Sequence, residues 1–295
     1  MSVTPEDRIK ALGIWNGPIE IAALTGGITN RNYLVLERNR RCVVRLGADI
    51  AVHHISRANE LAASKAAHEA GISPAVLHHA PGVLVLDYVG GRHLSAEDVR
   101  DPATLLRLLP LLRRCHTEIP KYFRGPAVIF WVFHVVRDYA ALLIEARSRH
   151  APHLPSLIET AEALERAAGP FDIVFGHNDL LANNFLDDGE RLWLIDWDYA
   201  GFNTPLFDLG GLSSNNQLSQ PQEKAMLTAY FGAAPDADLW RRYRAMKAAS
   251  LLRESLWSMV SEIHSTIDFD YAAYTAENLM RFQRAYDDFR DAEVH

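Results

Sequence analysis

The sequence predicts an α+β protein, with an antiparallel sheet of about five strands and one helix near the N-terminus and helices through most of the remainder. Short β-rich runs broken by turn residues fill the segment before residue 90, and one stretch rich in Ala and Glu interrupts them. Longer segments of helical apolar periodicity follow after residue 100. Strands and helices that are segregated along the chain in this way are typical of α+β folds.

The predicted sheet starts with a meander of three strands and ends with a hairpin. The meander strands are Ile19–Leu24, Tyr33–Glu37 and Cys42–Leu46. The hairpin strands, Val76–Leu77 and Val83–Leu86, flank a Pro-Gly turn, which is typical turn chemistry.

A helix is predicted between the meander and the hairpin. From Ile55 to Glu69 the composition changes to Ala, Glu and Lys, and apolar residues recur at helical spacing. Gly71 and Pro74 then end the periodic segment.

The Gly-ended segment 87–91 marks a predicted domain boundary, which divides the chain into residues 1–88 and 89–295. The second part is predicted to contain the helices Pro102–His116, Phe130–His150 and Leu154–Ala168 and a further helical region from Gln222 onward. Between them, short apolar strands are predicted at Ile173–Phe175, Phe185–Leu186 and Leu192–Ile195.

The amino-acid composition argues against two classes of protein. Thirty Lys and Arg residues against 37 Asp and Glu residues give a net charge of −7, and the isoelectric point is about 6.0. This balance argues against a protein that mainly neutralises nucleic-acid phosphates. A hydrophobic fraction of 48% excludes a disordered chain.

A cytoplasmic protein without a membrane partner is expected. Two cysteines, Cys42 and Cys115, are too few for a disulfide framework and indicate a reducing compartment. The first residues lack the basic and apolar regions of a secretory signal. The leucine-rich stretch Leu105–Leu112 is far shorter than the roughly 20 apolar residues of a membrane span.

Two polar loops at the ends of short strands carry the candidate chemistry. The loop His177–Asn184 has the pattern H-x-D-x-x-x-x-N, and Asp196 ends a strand shortly afterwards. Each loop taken alone is equally compatible with a solvated turn. Phosphoryl transfer, however, needs one carboxylate for the attacking hydroxyl and oxygen ligands for Mg²⁺. We therefore predict Asp179 as catalytic base and Asn184 and Asp196 as Mg²⁺ ligands.

The spacing of these loops matches the H-R-D-L-x-x-x-N loop and the strand-end Asp of protein kinases. Asn178 stands in place of the Arg, and Trp197 in place of the Phe that follows the second Asp. His177 is predicted to orient the catalytic loop through hydrogen bonds, because the kinase-type base is the carboxylate two residues later.

A glycine turn lies between the first two predicted strands. Gly26 and Gly27 favour an ordinary hairpin when considered alone. Ahead of a kinase-like second half, the same turn is a candidate phosphate lid, since backbone N–H groups can approach phosphates where side chains are missing.

Together these features make the chain resemble the choline/ethanolamine kinase family, within the aminoglycoside phosphotransferase superfamily, which shares the bilobal protein-kinase fold. The resemblance extends over nearly the whole chain and is carried by the segments Gly26–Asn30, Val43–Leu46, His177–Asn184, Leu194–Trp197, Gly201–Asn203, Phe207–Leu209 and Leu256–Ser258. Thr29 and Asn30 after the double glycine, and the run 199–208, favour the choline and ethanolamine branch.

The resemblance implies a nucleotide site. Arg45 takes the place of the strand lysine that contacts the phosphates, with Glu60 as its helical partner. The turn residues Gly26, Gly27, Thr29 and Asn30 would hold the triphosphate, and the backbone of Asp87 and Val89 would pair with adenine. ATP and Mg²⁺ are the implied cofactors.

One further aspartate is implied to support the catalytic loop. Asp208 resembles the second conserved aspartate of the family. It is also compatible with an N-cap of a helix that begins at Leu209, and both roles can hold together.

The implied acceptor is a small cationic alcohol. A quaternary ammonium group is held by aromatic faces and a nearby carboxylate, and Trp257, Tyr271 and Tyr274 are candidates for this wall. In the eukaryotic relatives a second Trp stands where this chain has Glu254, and an acidic choline-site residue falls at Asn215. Choline and ethanolamine both stay open as acceptors, and the three aromatics are equally compatible with simple helix packing.

Several other signals are interpreted as structural. The pairs His53–His54 and His78–His79 have diverging side chains, so neither presents a metal face. The basic run Arg241–Arg244 is interpreted as a solvated helix face.

The alternatives within the enzyme class are a kinase of an aminoglycoside, thiamine or a sugar. The alternative from another class is a catalytically silent nucleotide-binding protein, which the presence of Asp179, Asn184 and Asp196 disfavours. A protein kinase is disfavoured because no Ala-Pro-Glu segment follows Asp196.

Overall fold

The computed structural model describes residues 4–24 and 30–291. An antiparallel sheet with the strand order β1-β2-β3-β5-β4 forms its N-terminal part. The strands are β1 (Ile19–Leu24), β2 (Arg31–Glu37), β3 (Arg40–Leu46), β4 (Val76–Ala80) and β5 (Val83–Asp87). The five predicted strands are confirmed, although β2 and β3 each begin two residues earlier than predicted.

One face of this sheet is closed by a short N-terminal helix, α1 (Pro5–Lys10). Ile9 of α1 is fully buried against alternate residues of β2, β3 and β5, including Val35, Val44 and Val85. Because side chains alternate between the two faces of a strand, Arg45 lies on the other face, paired in register with Leu84. The sheet therefore directs Arg45 away from its own apolar core.

The helix between β3 and β4, α2 (Arg57–Glu69), starts two residues later than predicted. Ile55 pairs with Ile50 in an isolated antiparallel bridge instead of joining the helix. The buried face of α2 is built from small residues, such as Ala63 and Ala67, which join the apolar cluster of the C-terminal helices. This helix therefore packs on the C-terminal part as well as lying beside the sheet.

Helices form most of the chain after residue 95, as predicted. They are α3 (Ala96–Arg100), α4 (Pro102–Tyr122), α5 (Val132–Glu145), α6 (Leu154–Ala168), α7 (Pro205–Asn216), α8 (Gln220–Phe231), α9 (Ala237–His264) and α10 (Tyr271–Asp291). Three predicted helical segments have different bounds: α4 continues beyond His116 to Tyr122, α5 is shorter than the predicted Phe130–His150, and the region predicted from Gln222 begins with α8 at Gln220.

Short strands also follow β5, and all of those described except the first lie between α6 and α7. They are β6 (Arg92–His93), β7 (Val174–Gly176), β8 (Phe185–Asp187), β9 (Leu192–Leu194) and β10 (Gly201–Asn203). β8 pairs with β6 and β9, while β7 pairs with β10. The prediction placed Ile173 and Ile195 in strands, but both lie just outside them.

Helix α9 lies at the centre of the C-terminal part and packs against α5, α6, α7 and α10. The contact with α7 is unusually close, because a Cβ on Gly210 would lie 2.9 Å from Cα of Lys247. Glycine at this point lets the two helices approach, and Arg253 and Glu254 of α9 lie near Asp179 in the loop after β7.

No helix within residues 4–24 and 30–291 combines the length and the apolarity that crossing a bilayer requires. The two cysteines are buried and unpaired. The division at residues 88 and 89 stays a prediction.

Candidate active site

The loop after β7 is held in place by a single buried carboxylate. The backbone N–H of His177 donates to Asp208 Oδ2 at 2.8 Å, and that of Asn178 donates to Asp208 Oδ1 at 2.7 Å. His116 of α4 contacts Asp208 Oδ2 at 3.0 Å through its Nε2. Burial by itself would raise the pKa of Asp208, but the hydrogen bond and charge of His116 lower it overall.

The alternative role of Asp208 as an N-cap was wrong. Helix α7 starts at Pro205, four residues before Leu209, and the Thr204 side chain caps it by accepting from the N–H of Leu206. Asp208 lies in the first turn of α7, where the helix dipole favours a negative charge.

His177 connects the two loops that carry the candidate chemistry. Its Nδ1 accepts from the N–H of Asp179 at 3.3 Å, so the ring proton is on Nε2, which donates to the carbonyl of Ile195 at 2.9 Å. Burial lowers the pKa of His177, which keeps the ring neutral for this arrangement. A neutral His177 therefore ties the segment before Asp179 to the segment before Asp196.

Asp196 has a backbone conformation that non-glycine residues rarely adopt. Its φ is +72°, in the left-handed region, directly after β9. The turn aims its carboxylate at the sheet, where Arg45 Nη2 donates to Oδ1 at 2.8 Å. This contact joins the strand cation to the strand-end aspartate across 151 residues of sequence.

Arg45 is one member of a buried ring of alternating charges. Arg45 lies 3.2 Å from Glu60 and 3.3 Å from Asp198. Arg57 closes the ring, because its Nη1 donates to both Glu60 Oε2 and Asp198 Oδ1 at 2.7 Å. Burial opposes the charge of Arg45, but Asp196 and Glu60 outweigh it and raise its pKa.

The ring also reaches Asn30, the residue that precedes β2. The side-chain amide of Asn30 donates to Asp198 Oδ2 at 3.0 Å. Gly26, Gly27 and Thr29 lie outside the described residues. A cavity of about 440 Å³ adjoins the ring, with Ala58 and Leu61 of α2 among its lining residues.

Asn184 and Asp196 suit a hard divalent cation. Asn184 Nδ2 donates to the backbone carbonyl of Asp179 at 2.9 Å, which orients the amide. Asn184 Oδ1 and the second carboxylate oxygen of Asp196, whose Oδ1 accepts from Arg45, are the candidate ligand atoms. Amide and carboxylate oxygens are the donors that Mg²⁺ prefers.

Asp179 is flanked by charges from α9. Burial raises its pKa to about 8, the Arg253 guanidinium opposes that rise, and the carboxylates of Glu254 and Asp196 add to it. Arg253 itself is buried against the Tyr199 ring, with 4.3 Å between its Cζ and the ring centroid. One positive and several negative charges thus surround the candidate base.

Glu254 already has two partners within the protein. Arg253 Nη1 donates to its Oε2 at 2.9 Å, and the hydroxyl of Tyr274 donates to its Oε1 at 2.8 Å. The structure therefore brings Glu254 and Tyr274 together, as two of the predicted acceptor residues.

An aromatic cluster surrounds the same stretch of α9. The Trp257 indole meets Tyr271 and Tyr274 edge to face, at centroid distances of 6.1 and 6.4 Å. Its Nε1 donates to the Tyr199 hydroxyl at 2.9 Å. Phe269, which the sequence interpretation missed, packs edge-on against both tyrosines and is 45% exposed.

The remaining predicted residues lie at the edges of this arrangement. Asn215 of α7 approaches the carbonyl of Leu180, beside Asp179, at 3.5 Å. Asp87 ends β5, and the carbonyl of Val89 accepts from the N–H of Gly91 at 3.1 Å. A cavity of about 350 Å³ adjoins this segment and includes Tyr88 and Trp193 in its lining.

Sequence interpretation missed Arg57, Asp198 and Arg253. The D-x-D spacing of Asp196 and Asp198, and the R-x-x-E spacing of Arg57 and Glu60, were visible signals. In a helix the latter spacing places both side chains on one face. No local pattern marks Arg253, since it reaches the site only through the packing of α9.

Compared with known protein families, residues 20–246 match the phosphotransferase enzyme family. The chain belongs to this family. The prediction of a phosphotransferase is confirmed, and the relatives of the chain include proteins named ethanolamine and choline kinases.

Individual relatives of this phosphotransferase agree with the assignment. A solved choline/ethanolamine kinase family protein from Mesorhizobium loti is 29% identical, with a TM-score of 0.78 over 99% of both chains. Probable ethanolamine kinase A of Dictyostelium discoideum is 26% identical over 92% of this chain and 86% of its own. Choline kinase LicA from Streptococcus pneumoniae shares the fold, with a TM-score of 0.77 over 97% of both chains at 23% identity. The predicted kinase-like α+β fold is confirmed.

Proposed function

We propose that this phosphotransferase uses ATP to phosphorylate the hydroxyl group of a small amino alcohol, choline or ethanolamine. One observation carries the proposal. Arg45 of the sheet meets Asp196 at 2.8 Å, while His177 ties the Asp196 loop to the loop of Asp179. Phosphate-binding, metal-binding and base residues are thereby connected through direct contacts.

Arg45 is the residue proposed to hold the nucleotide phosphates. Glu60 and Asp198 fix its guanidinium on two sides, and a planar, permanently charged group suits phosphate oxygens. The glycine turn with Gly26, Gly27 and Thr29, followed by Asn30, would cover the phosphates. The backbone of Asp87 and Val89 would pair with the base.

Asn184 and Asp196 are the residues proposed to hold Mg²⁺. The ion would neutralise the charge that develops on the transferred phosphoryl group. Asn184 is oriented for this by its hydrogen bond to the carbonyl of Asp179.

Asp179 is the proposed base for the acceptor hydroxyl. Its carboxylate would orient the hydroxyl and accept its proton. Burial raises the pKa of Asp179 to about 8, which strengthens the carboxylate as a base, and the Arg253 guanidinium opposes this rise.

The aromatic residues beside Asp179 are the proposed acceptor wall. Trp257, Tyr271 and Tyr274 would face the ammonium group, each ring contributing about 0.5 to 2 kcal/mol. Glu254 and Asn215 would add polar contacts. An aromatic wall favours choline, whereas the carboxylate of Glu254 favours the primary ammonium of ethanolamine.

ADP release by the purified protein tests the proposal. The acceptors are choline, ethanolamine, thiamine and kanamycin, each with ATP and Mg²⁺. We expect turnover with choline or ethanolamine, and Asp179→Ala should lose about 10²- to 10⁴-fold in kcat while it still binds nucleotide. Asp172→Asn, an exposed change upstream of the same loop, is the control.

Other outcomes would contradict parts of the proposal. Turnover with thiamine or kanamycin alone would overturn the acceptor wall and keep the catalytic residues. Unchanged turnover in Asp179→Ala would remove this residue from the mechanism. An absence of turnover with every acceptor, together with tight nucleotide binding, would favour a silent nucleotide-binding protein.

A further inference from the structure

The segment between β3 and α2 crosses from the sheet to the C-terminal helices. Its Ile50 and Ile55 pair with each other, and the residues between them form a tight turn over Ala51–His53. At the end of this turn His53 is only 6% exposed, because it is inserted between α5 and α9.

His53 packs directly against the proposed acceptor wall. Its ring lies over the Trp257 indole, with 5.1 Å between centroids and 31° between planes. Its Nε2 is 3.1 Å from the hydroxyl of Ser261, one helical turn after Trp257. His53 therefore contacts both the indole and the next turn of the helix that carries it.

A second hydrogen bond fixes the orientation of the His53 ring. Nδ1 lies 3.4 Å from the Tyr139 hydroxyl, and the Tyr139 ring meets His53 edge-on at 5.8 Å. A neutral imidazole has one donor and one acceptor nitrogen, so two hydroxyl partners satisfy it completely. The ring is thus held by its two nitrogens while its face supports Trp257.

Three further side chains contact the Trp257 indole. Its Nε1 donates to Tyr199, and Tyr271 and Tyr274 contact it edge-on. Since the rings of the cluster touch one another, removing the His53 ring would open space into which the indole can tilt.

We propose that His53 is a specificity-determining positioning residue, which sets the position of the Trp257 indole and thereby the size of the ammonium group that the acceptor site takes. The proposal rests on the proposed function, because it places Trp257 in the acceptor wall. It also assigns a role to the segment that joins Arg45 to Glu60, so that the elements of the phosphate site support the acceptor site directly.

The charge state of His53 agrees with this role. Burial lowers its pKa to about 3, and the positive charge of Arg253 acts in the same direction. A neutral ring behind Trp257 does not repel a cationic substrate in front of it, whereas a protonated ring would.

Substitution of His53 and its neighbour tests the proposal with a matched pair. His54→Ala is the control, because His54 pairs with Asp138 at 2.8 Å and its side chain is 26% exposed. Steady-state kcat and KM are measured for choline, ethanolamine and (2-hydroxyethyl)triethylammonium, the triethyl analogue of choline, together with KM for ATP.

For His53→Ala we expect the KM for choline to rise about tenfold, which corresponds to about 1.4 kcal/mol. The KM for ATP should stay within about twofold. The ratio of kcat/KM for the triethyl compound to that for choline should rise at least about fivefold, because the indole can tilt into the space left by the His53 ring and enlarge the acceptor site. His54→Ala should leave this ratio unchanged.

A merely structural role would lower the amount of active enzyme without moving the selectivity ratio. An unchanged ratio and an unchanged choline KM in folded His53→Ala would overturn the inference. Should that variant not fold, Ser261→Ala decides, because it removes only the hydroxyl partner of Nε2. Folded Ser261→Ala should raise the choline KM about threefold at constant ATP KM, and no change would overturn the inference.

A failure of the proposed function can be distinguished from a failure of the inference about His53. If the unsubstituted protein phosphorylates no amino alcohol, the proposed function fails and the inference fails with it. If it does so, and folded His53→Ala changes neither the selectivity ratio nor the choline KM, only the inference fails.

Discussion

The pair Asn183 and Asn184 shows how strongly neighbouring residues of one type can differ. Asn183 is exposed, whereas Asn184 is 5% exposed and donates to the carbonyl of Asp179. The residue type alone does not separate them. Their positions in the short turn at the end of the loop His177–Asn184 do, because only one of the two side chains points inward.

We expect Asn184→Ala to reduce activity and to raise the Mg²⁺ concentration needed for half-maximal turnover by about 10- to 100-fold. The reason is the combined loss of an oxygen ligand and of the hydrogen bond that supports Asp179. A Mg²⁺ titration of initial rates measures it, with Asn183→Ala as the control. Equal Mg²⁺ requirements in the two variants would exclude Asn184 as a ligand.

Between elements, buried charges as well as apolar contacts connect the sheet, α2 and the loop after β9. Arg57 begins α2, and its Nη1 contacts Glu60 and Asp198. Removing one member of such a buried network leaves uncompensated charges, whereas an exposed pair contributes little.

Arg57→Met should therefore lower the free energy of unfolding by about 3 kcal/mol. The KM for ATP should rise as well, since Glu60 and Asp198 would then compete for Arg45. Arg92→Met is the contrast, because Arg92 forms a surface pair with Asp98 and its side chain is 62% exposed; this change should cost less than about 1 kcal/mol. Denaturant unfolding compares the two variants. Similar losses in the free energy of unfolding would show that the buried ring contributes no more to stability than an exposed ion pair.

Asp208 joins α7 to the catalytic loop, and its lowered pKa makes this contact dependent on pH. A carboxyl group whose pKa is lower in the folded state stabilises the fold above its unfolded pKa, about 3.9, and this contribution is lost as the pH falls through the folded pKa. Asp208 therefore stabilises the protein at neutral pH and ceases to do so in acid.

Asp208→Asn should lower the free energy of unfolding at pH 7 by about 2 kcal/mol, because two buried N–H groups lose a charged acceptor. Its stability should also fall less steeply than that of the unsubstituted protein between pH 5 and 2. Urea unfolding over this pH range measures both effects, and Asp172→Asn is the exposed control. Parallel pH dependences would contradict the role of the Asp208 charge.

For the whole molecule, the contacts around Arg45 join the N-terminal sheet to the C-terminal loops. Arg45 contacts Asp196 and Asp198, and Asn30 contacts Asp198, across more than 150 residues of sequence. A ligand bound between these parts would stabilise both at once, because it binds only the folded chain.

ATP with Mg²⁺ should raise the free energy of unfolding by about 2.7 kcal/mol at a concentration 100 times its Kd. In thermal unfolding, Asp196→Asn should abolish the part of this shift that depends on Mg²⁺ and keep a smaller shift with ATP and chelator. A Mg²⁺-dependent shift of full size in Asp196→Asn would contradict the assignment of Asp196 as a ligand.

The sequence by itself determined the element types, the motif of the candidate catalytic loop and the family. These are local properties, since hydrophobic periodicity, turn residues and the spacing of His177 to Asn184 lie within short contiguous segments. Short elements such as α1 escaped prediction because six residues show too little periodicity, although the Thr4 to Asp7 capping box was a visible signal.

Only the tertiary structure decided which distant side chains meet. His53 and Ser261 are 208 residues apart, and Arg57 and Asp198 are 141 apart, yet each pair is in contact. A histidine interpreted as structural from its sequence neighbours thereby became part of the support of Trp257. The physical reason is that burial and ion pairing depend on how α2, α5 and α9 pack together, and no short segment of the sequence encodes that packing.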